Sequence, residues 1–195
     1  MKTLFAFWGE CLRDPRRVGS VLPSGAPLGA AIAREVLTSE PGYVVEIGAG
    51  TGAITEELVA IRHRLRGLMV VEKSPKLAQT LTRRYAGVDV RTGCASLLSG
   101  IRFPTDEPLT LVSSLPFRSL PQPELEAIRQ AIGCLGERHS QFRLIQYSYF
   151  GRLPFVCQAP ALAWARKKTI FANLPPATIW VLGSKLHSCV TSPEW

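Results

Sequence analysis

A doubly wound α/β sheet closed by an antiparallel pair of strands is the fold this sequence predicts, and three observations predict it. Short apolar runs of strand length alternate with stretches whose apolar residues recur at helical spacing. A glycine-rich turn, Gly48-Ala49-Gly50-Thr51-Gly52, stands where the first apolar run gives way to the first helical pattern. Near the C-terminus, RKKTIFANLPPATIWVLG holds two β-patterned runs joined through Pro175-Pro176, as in a hairpin at a sheet edge. The 195 residues suffice for one well-filled core.

The first element expected is a helix. Leu4, Phe5, Phe7, Trp8, Cys11 and Leu12 fall within an arc of roughly 160° on a helical wheel. Lys2, Glu10, Arg13 and Asp14 take the other side and Arg16-Arg17 follow, so the helix is amphipathic with a basic flank. GSVLPSG, residues 19 to 25, is rich in turn formers. Tyr43 to Ile47, Leu68 to Val71, Leu109 to Val112 and Phe142 to Tyr147 read as buried parallel strands, with Val88 to Arg91 a shorter one. Between them, helical spacing joins Ile54, Leu58, Ile61 and Leu65; then Leu77, Leu81 and Tyr85; then Leu125, Ile128, Ile132 and Leu135. Ser74-Pro75 is a helix start, an N-cap before proline at the first helical position. With the hairpin this makes a seven-stranded, Rossmann-like sheet with helices on both faces. Residues 1–40 form an N-terminal helix and lid, 41–182 the core and 183–195 a tail.

Composition narrows the classes. A hydrophobic content of 46% with 19% charged residues fits a globular α/β protein and excludes a disordered one. Cys11, Cys94, Cys134, Cys157 and Cys189 are scattered without metal-ligand or CxxC spacing, which points to reduced thiols, no metal and a cytoplasmic setting. No apolar run is long enough for a membrane span, and no secretory leader is expected. The net charge of +8 implies a polyanionic partner, nucleic acid or an anionic membrane surface.

The glycine turn carries the first chemical signal. Glycines at 48, 50 and 52 let the backbone turn tightly and bring a ligand close, and the following helix offers free N–H groups to an anion. GAGTGA also satisfies the dinucleotide pattern G-x-G-x-x-A, so two neighbours decide the reading. Glu46, inside the strand end, suits a cationic amine better than a pyrophosphate. Glu72, ending the second strand, is placed to take both hydroxyls of a ribose. An amine and a ribose without a pyrophosphate describe S-adenosylmethionine.

These stretches resemble a known family. VVEIGAGTGAIT is similar to the first motif of class I S-adenosylmethionine-dependent methyltransferases, and LMVVEKS to the second. DPRRVGSVLPSG, VSSLPF, QYSY and NLPPATIW resemble the bacterial phospholipid N-methyltransferases, relatives of the rRNA adenine dimethyltransferases. The likeness runs from about Phe5 to Leu182. It implies a cofactor site of Glu46, Gly48, Ala49, Gly50, Gly52, Glu72, Lys73, Cys94, Ala95 and Ser113, under a lid carrying Ser20, Pro23 and Ser24. It also implies stepwise methylation of phosphatidylethanolamine, through its monomethyl and dimethyl derivatives, towards phosphatidylcholine.

Two positions depart from the related enzymes. Where Gly-Asp-Ala is usual, the aspartate accepting from the adenine amine, this chain reads Gly93-Cys94-Ala95. Where an Asn or Asp grips a target nucleobase, it has Ser114, followed by Leu115-Pro116-Phe117. RNA methylation is therefore the alternative reading, a non-catalytic cofactor-binding module a second, and no nucleic-acid partner is expected.

For catalysis the candidates are Tyr147, Tyr149 and Ser114, the tyrosines lying beyond the fifth strand on one side of it. Their rings suit a methylated ammonium, and a hydroxyl can relay its proton. His63, His139 and His187 are poor candidates for a base, His139 being expected on the far edge of the sheet. Phe117 and Arg152 are substrate-side candidates. Leu4, Phe5, Trp8, Leu12, Arg16 and Arg17 are the candidates for contact with an anionic membrane, giving a monomeric protein held peripherally at the inner leaflet.

Overall fold

The computed structural model describes residues 25–40, 42–149, 151–173 and 175–184. The expected N-terminal helix, the lid residues Ser20, Pro23 and Ser24 and the tail from residue 185 lie outside them. The elements are α1 (Ala26–Val36), β1 (Tyr43–Ile47), α2 (Ala53–Ala60), β2 (Gly67–Glu72), α3 (Pro75–Arg84), β3 (Asp89–Thr92), β4 (Leu109–Ser113), α4 (Gln122–Arg138), β5 (Phe142–Tyr149), β6 (Leu162–Ile170) and β7 (Ala177–Ser184). Short 3₁₀ turns cover Arg62–Arg64 and Ala95–Gly100.

One seven-stranded sheet runs β3-β2-β1-β4-β5-β7-β6, with β7 antiparallel to both of its neighbours and the other pairs parallel. Central strands β1 and β4 are almost wholly buried because helices cover both faces, which is why they read as unbroken apolar runs. The two edges are blunted by charge. β3 is four residues long and exposes Asp89 and Arg91, while β6 exposes Arg166, Lys167 and Lys168 and is irregular between Arg166 and Lys168.

Two cores lie on opposite faces. One packs Ile128, Ile132 and Leu135 of α4 against Leu111 and Leu144; the other packs Leu28, Ile32 and Val36 of α1 and Leu58 of α2 against Val44, Ile145 and Ile179. A smaller cluster seats Leu81 and Tyr85 on Val70. Ser74 caps α3 as its sequence implies, its hydroxyl accepting from Leu77 N–H at 3.4 Å.

Three features differ from the pattern. α1 occupies what the sequence analysis assigns to the lid, although Leu28, Ile32 and Val36 recur at helical spacing and form its buried face. α2 stops at Ala60, short of Leu65, because the chain must turn through Arg62–Arg64 to enter β2. His139 does sit at the edge away from the glycine turn, but it is buried against Phe103, and burial lowers its pKa below the usual histidine range.

Candidate active site

The parallel order places the C-terminal ends of β1, β2, β4 and β5 along one edge, where the chain leaves each strand for a loop. β1 ends in glycines with positive φ. At Gly48 (φ 74°) an added Cβ would lie 2.7 Å from Leu115 Cδ2, so this turn needs glycine for both conformation and space. Gly50 (φ 58°) differs: nothing lies within 4 Å of where its Cβ would stand. That open side is where a ligand can approach the backbone.

Glu72 fixes the turn. Its Oε2 accepts from Gly50 N–H and its Oε1 from Ser74 N–H, both at 2.8 Å, and the residue is 7% exposed. Each oxygen keeps a further lone pair, so two acceptor positions remain for ribose hydroxyls. Glu46 is 0% exposed. Its Oε2 accepts from Thr55 Oγ1 at 2.6 Å, while Oε1 has no partner among the described residues. Burial pushes its carboxyl up to about 7, against the Thr55 bond, and the charge of Glu72 adds to the shift. A buried carboxylate with an unused oxygen beside an open glycine turn fits an amino-acid ammonium, and Glu72 fits a ribose. These residues therefore fit S-adenosylmethionine.

At the β3 side, Ala95 is buried in the core and Cys94 half-buried. Cys94 Sγ donates to Glu124 Oε1 at 3.5 Å, and Lys73 Nζ lies 2.9 Å from both oxygens of Glu124. Lys73, expected at the cofactor, thus points to the first turn of α4. Its hydrogen bond holds the Glu124 carboxyl below the usual carboxylate range.

At the β4 side, Ser114 N–H donates to Ile47 O at 3.0 Å and extends the β1–β4 pairing by one residue. Its side chain acts on the Tyr147 hydroxyl, lowering its pKa against the effect of burial. Tyr147 and Tyr149 share a face of β5, as alternation implies, and meet edge to face with centroids 5.9 Å apart. Burial pushes both hydroxyls above the ordinary tyrosine value, that of Tyr147 well above it, so both stay neutral at physiological pH. Tyr149 is hydrogen-bonded to the Asn173 side chain, which is itself buried and donates to Pro175 O at 2.7 Å.

Three candidates have other partners in the structure. Phe117 is 3% exposed and packs 4.7 Å from Phe155 within the α4-side core, so its ring is not offered to a substrate. Ser113 is fully buried and its hydroxyl accepts from Leu115 N–H at 3.2 Å; it shapes the turn instead of facing a cofactor. Arg152 lies on an exposed loop whose carbonyl takes a hydrogen bond from Ser148 Oγ. Ser148 points to the sheet face opposite the tyrosines. Thr55, Glu124 and Asn173 are additions that motif reading overlooks. Thr55 ends the quoted VVEIGAGTGAIT and Asn173 opens the quoted NLPP run, whereas Glu124 lies in no quoted motif. Among the described residues no cluster of three or more His, Cys, Asp or Glu is arranged for a metal, and no helix is long and apolar enough to cross a membrane.

No family model matches the chain. It is 31% identical over 127 residues to an ornithine lipid N-methyltransferase of Singulisphaera acidiphila, covering 63% of this chain and 66% of that protein. It is 32% identical over 82 residues to a probable ribosomal RNA small subunit methyltransferase A of Natronomonas pharaonis, covering 41% of this chain but only 28% of the relative. Such a relative runs against the expectation that nucleic acid plays no part. The crystal structure of the 23S rRNA methyltransferase ErmE superposes with a TM-score of 0.54 over 81% of this chain and 67% of that one, at 18% identity, a likeness of fold. The seven-stranded sheet with helices on both faces agrees with these structures: the chain has the class I S-adenosylmethionine-dependent methyltransferase fold, and S-adenosylmethionine is the cofactor its relatives imply.

Proposed function

We infer that this protein methylates the amine of a phospholipid, phosphatidylethanolamine and its partly methylated derivatives, at an anionic membrane surface. The observation that carries the reading is the acceptor side of the site: two partly buried tyrosine rings and the Ser114 hydroxyl, with no carboxamide at position 114. A named lipid N-methyltransferase among the relatives supports it. Bound S-adenosylmethionine supplies an electrophilic methyl group for in-line displacement.

The protein's own task is to position an uncharged amine and exclude water. The Tyr147 and Tyr149 rings suit a methylated ammonium by cation–π attraction. An ethanolamine ammonium must shed a proton before it attacks. Tyr147 is held neutral, so with Ser114 it hands that proton on to solvent water as a hydroxyl link and never as a phenolate. The N-terminal face of Leu4, Phe5, Trp8 and Leu12, with Arg16 and Arg17 beside it, is the proposed membrane contact, and the inner leaflet of the cell membrane the proposed location.

The rRNA relative favours a second reading, adenine methylation in RNA. Purified protein incubated with labelled cofactor should label phosphatidylethanolamine liposomes and leave 16S RNA and 30S particles unlabelled. Robust RNA labelling with silent liposomes would replace the first reading by the second.

A further inference from the structure

The adenine amine needs an acceptor that Cys94 does not supply. A thiol is a weak acceptor, and here its S–H is already directed at Glu124. Order along the edge fixes what the β3 side must recognise. Glu72, at the end of β2, takes the ribose, and the loop after β3 is the next step outward. Cys94 opens that loop, and the carboxylate beside it belongs to Glu124, the third residue of α4.

We propose that Glu124 is the residue that selects adenine, accepting a hydrogen bond from the 6-amino group of the cofactor in place of the missing aspartate. This rests on S-adenosylmethionine being the cofactor. Lys73 holds the carboxylate with Nζ 2.9 Å from each oxygen, leaving Oε1 with the Cys94 thiol, a weak donor, as its further partner. Binding exchanges that S–H for an amine N–H, a stronger donor. The thiol and the carboxylate also fit together as a pair. An aspartate at 94 would bring a second carboxylate against Glu124, and like charges at such a distance oppose one another. Position 94 is therefore free of an acid because position 124 carries it. The Lys73–Glu124 pair is largely exposed on the lysine side, so it adds little to folding stability and serves to aim the carboxylate.

Calorimetry on the full chain tests this with two ligands, S-adenosylhomocysteine and its deaminated analogue, whose 6-oxo group presents an acceptor where adenine presents a donor. The wild type should prefer the adenine form by about tenfold or more, the scale of a hydrogen bond to a charged group. Glu124→Ala should lose that preference, chiefly through weaker binding of the adenine form. Glu124→Gln, nearly isosteric and able to donate, should shift the preference towards the 6-oxo form. Cys94→Asp combined with Glu124→Ala should restore the adenine preference by returning the acid to position 94. Undiminished preference in Glu124→Ala and Glu124→Gln would overturn the proposal, as would an equal fall for both ligands, which marks Glu124 as a mere brace. A wild type that binds neither ligand would overturn the cofactor assignment instead, and this inference with it.

Discussion

Ser114 and Tyr147 face one another across neighbouring strands, one rung beyond the Ser113–Gln146 pair of the β4–β5 ladder, and the serine side chain acts on the tyrosine hydroxyl. The register makes this contact: one step past the last paired residues, both chains turn a hydroxyl to the same side at the edge where Glu46 and the glycine turn also lie. The charge of Glu46 is close enough to add to the upward shift of Tyr147, so the three groups form one electrostatic unit.

If that pair carries the acceptor's proton, its members act together. Tyr147→Phe and Ser114→Ala should each lower lipid methylation by about 10²-fold, the low end for a positioned proton-transfer group. Cofactor affinity should be unchanged, and the double variant should lose little more than either single one. Initial rates with labelled cofactor and liposomes measure this. Losses that multiply would show two independent contributions and no relay.

Glu72 has two tasks, and its removal should expose both. Glu72→Ala leaves Gly50 N–H and Ser74 N–H without their acceptor and takes away the ribose acceptor as well. Cofactor binding should weaken by about 10²-fold or more, on the scale of losing charge-assisted bonds. Gly50→Val should abolish binding through a side chain in the open space and a β-branched residue at φ 58°. Titration calorimetry reads both variants. Near-normal affinity in either would remove the assignment of this edge.

The legible parts of the sequence are those where one short-range rule decides. β1, β2, β4 and β5 are long apolar runs in a sheet covered on both faces, so burial alone marks them. The placement of Gly50 and Glu72 is legible because a positive φ calls for glycine and Glu72 ends an apolar run. The packing of Phe117 is not legible, because an aromatic beside a turn serves a core as readily as a ligand and its partner, Phe155, lies thirty-eight positions on. Glu124 stayed hidden for the same reason: its contact with Cys94 joins the loop after β3 to a helix on the far side of β4. Local pattern carries no sign of such a pairing.

The N-terminal segment supports a prediction of its own from sequence alone. Deleting residues 1–12, or replacing Phe5 and Trp8 by Ala, should abolish sedimentation with anionic liposomes while cofactor binding survives. Arg16 and Arg17 would each add about 1 kcal/mol on an anionic surface, an attraction that salt screens. Wild-type binding should therefore weaken as salt rises. Full sedimentation of the truncated protein with phosphatidylglycerol vesicles would place the membrane contact elsewhere.

Glu46 makes stability depend on pH in a direction opposite to that of an ordinary ion-paired acid. Its folded carboxyl titrates at about 7 against a reference value of 4.5, chiefly because burial disfavours the charge. Below the reference value both folded and unfolded states hold the proton and no penalty exists. Between the two values the unfolded chain releases it while the folded protein keeps it, so stability falls as pH rises. Above about 7 both are ionised and the loss is complete. The gap corresponds to about 3 kcal/mol at most. Glu46→Gln removes the charge and keeps an acceptor for Thr55, so its melting temperature should not show the wild type's decline between about pH 5 and pH 8. The cofactor should oppose the decline. An ammonium beside the ionised carboxylate stabilises the charged form, so S-adenosylhomocysteine should raise the wild-type melting temperature more at pH 8 than at pH 5. Thermal unfolding across that range, with and without the ligand, measures both effects. An equal decline in Glu46→Gln would assign the pH dependence to another group, and an equal ligand effect at the two pH values would remove the amine from Glu46.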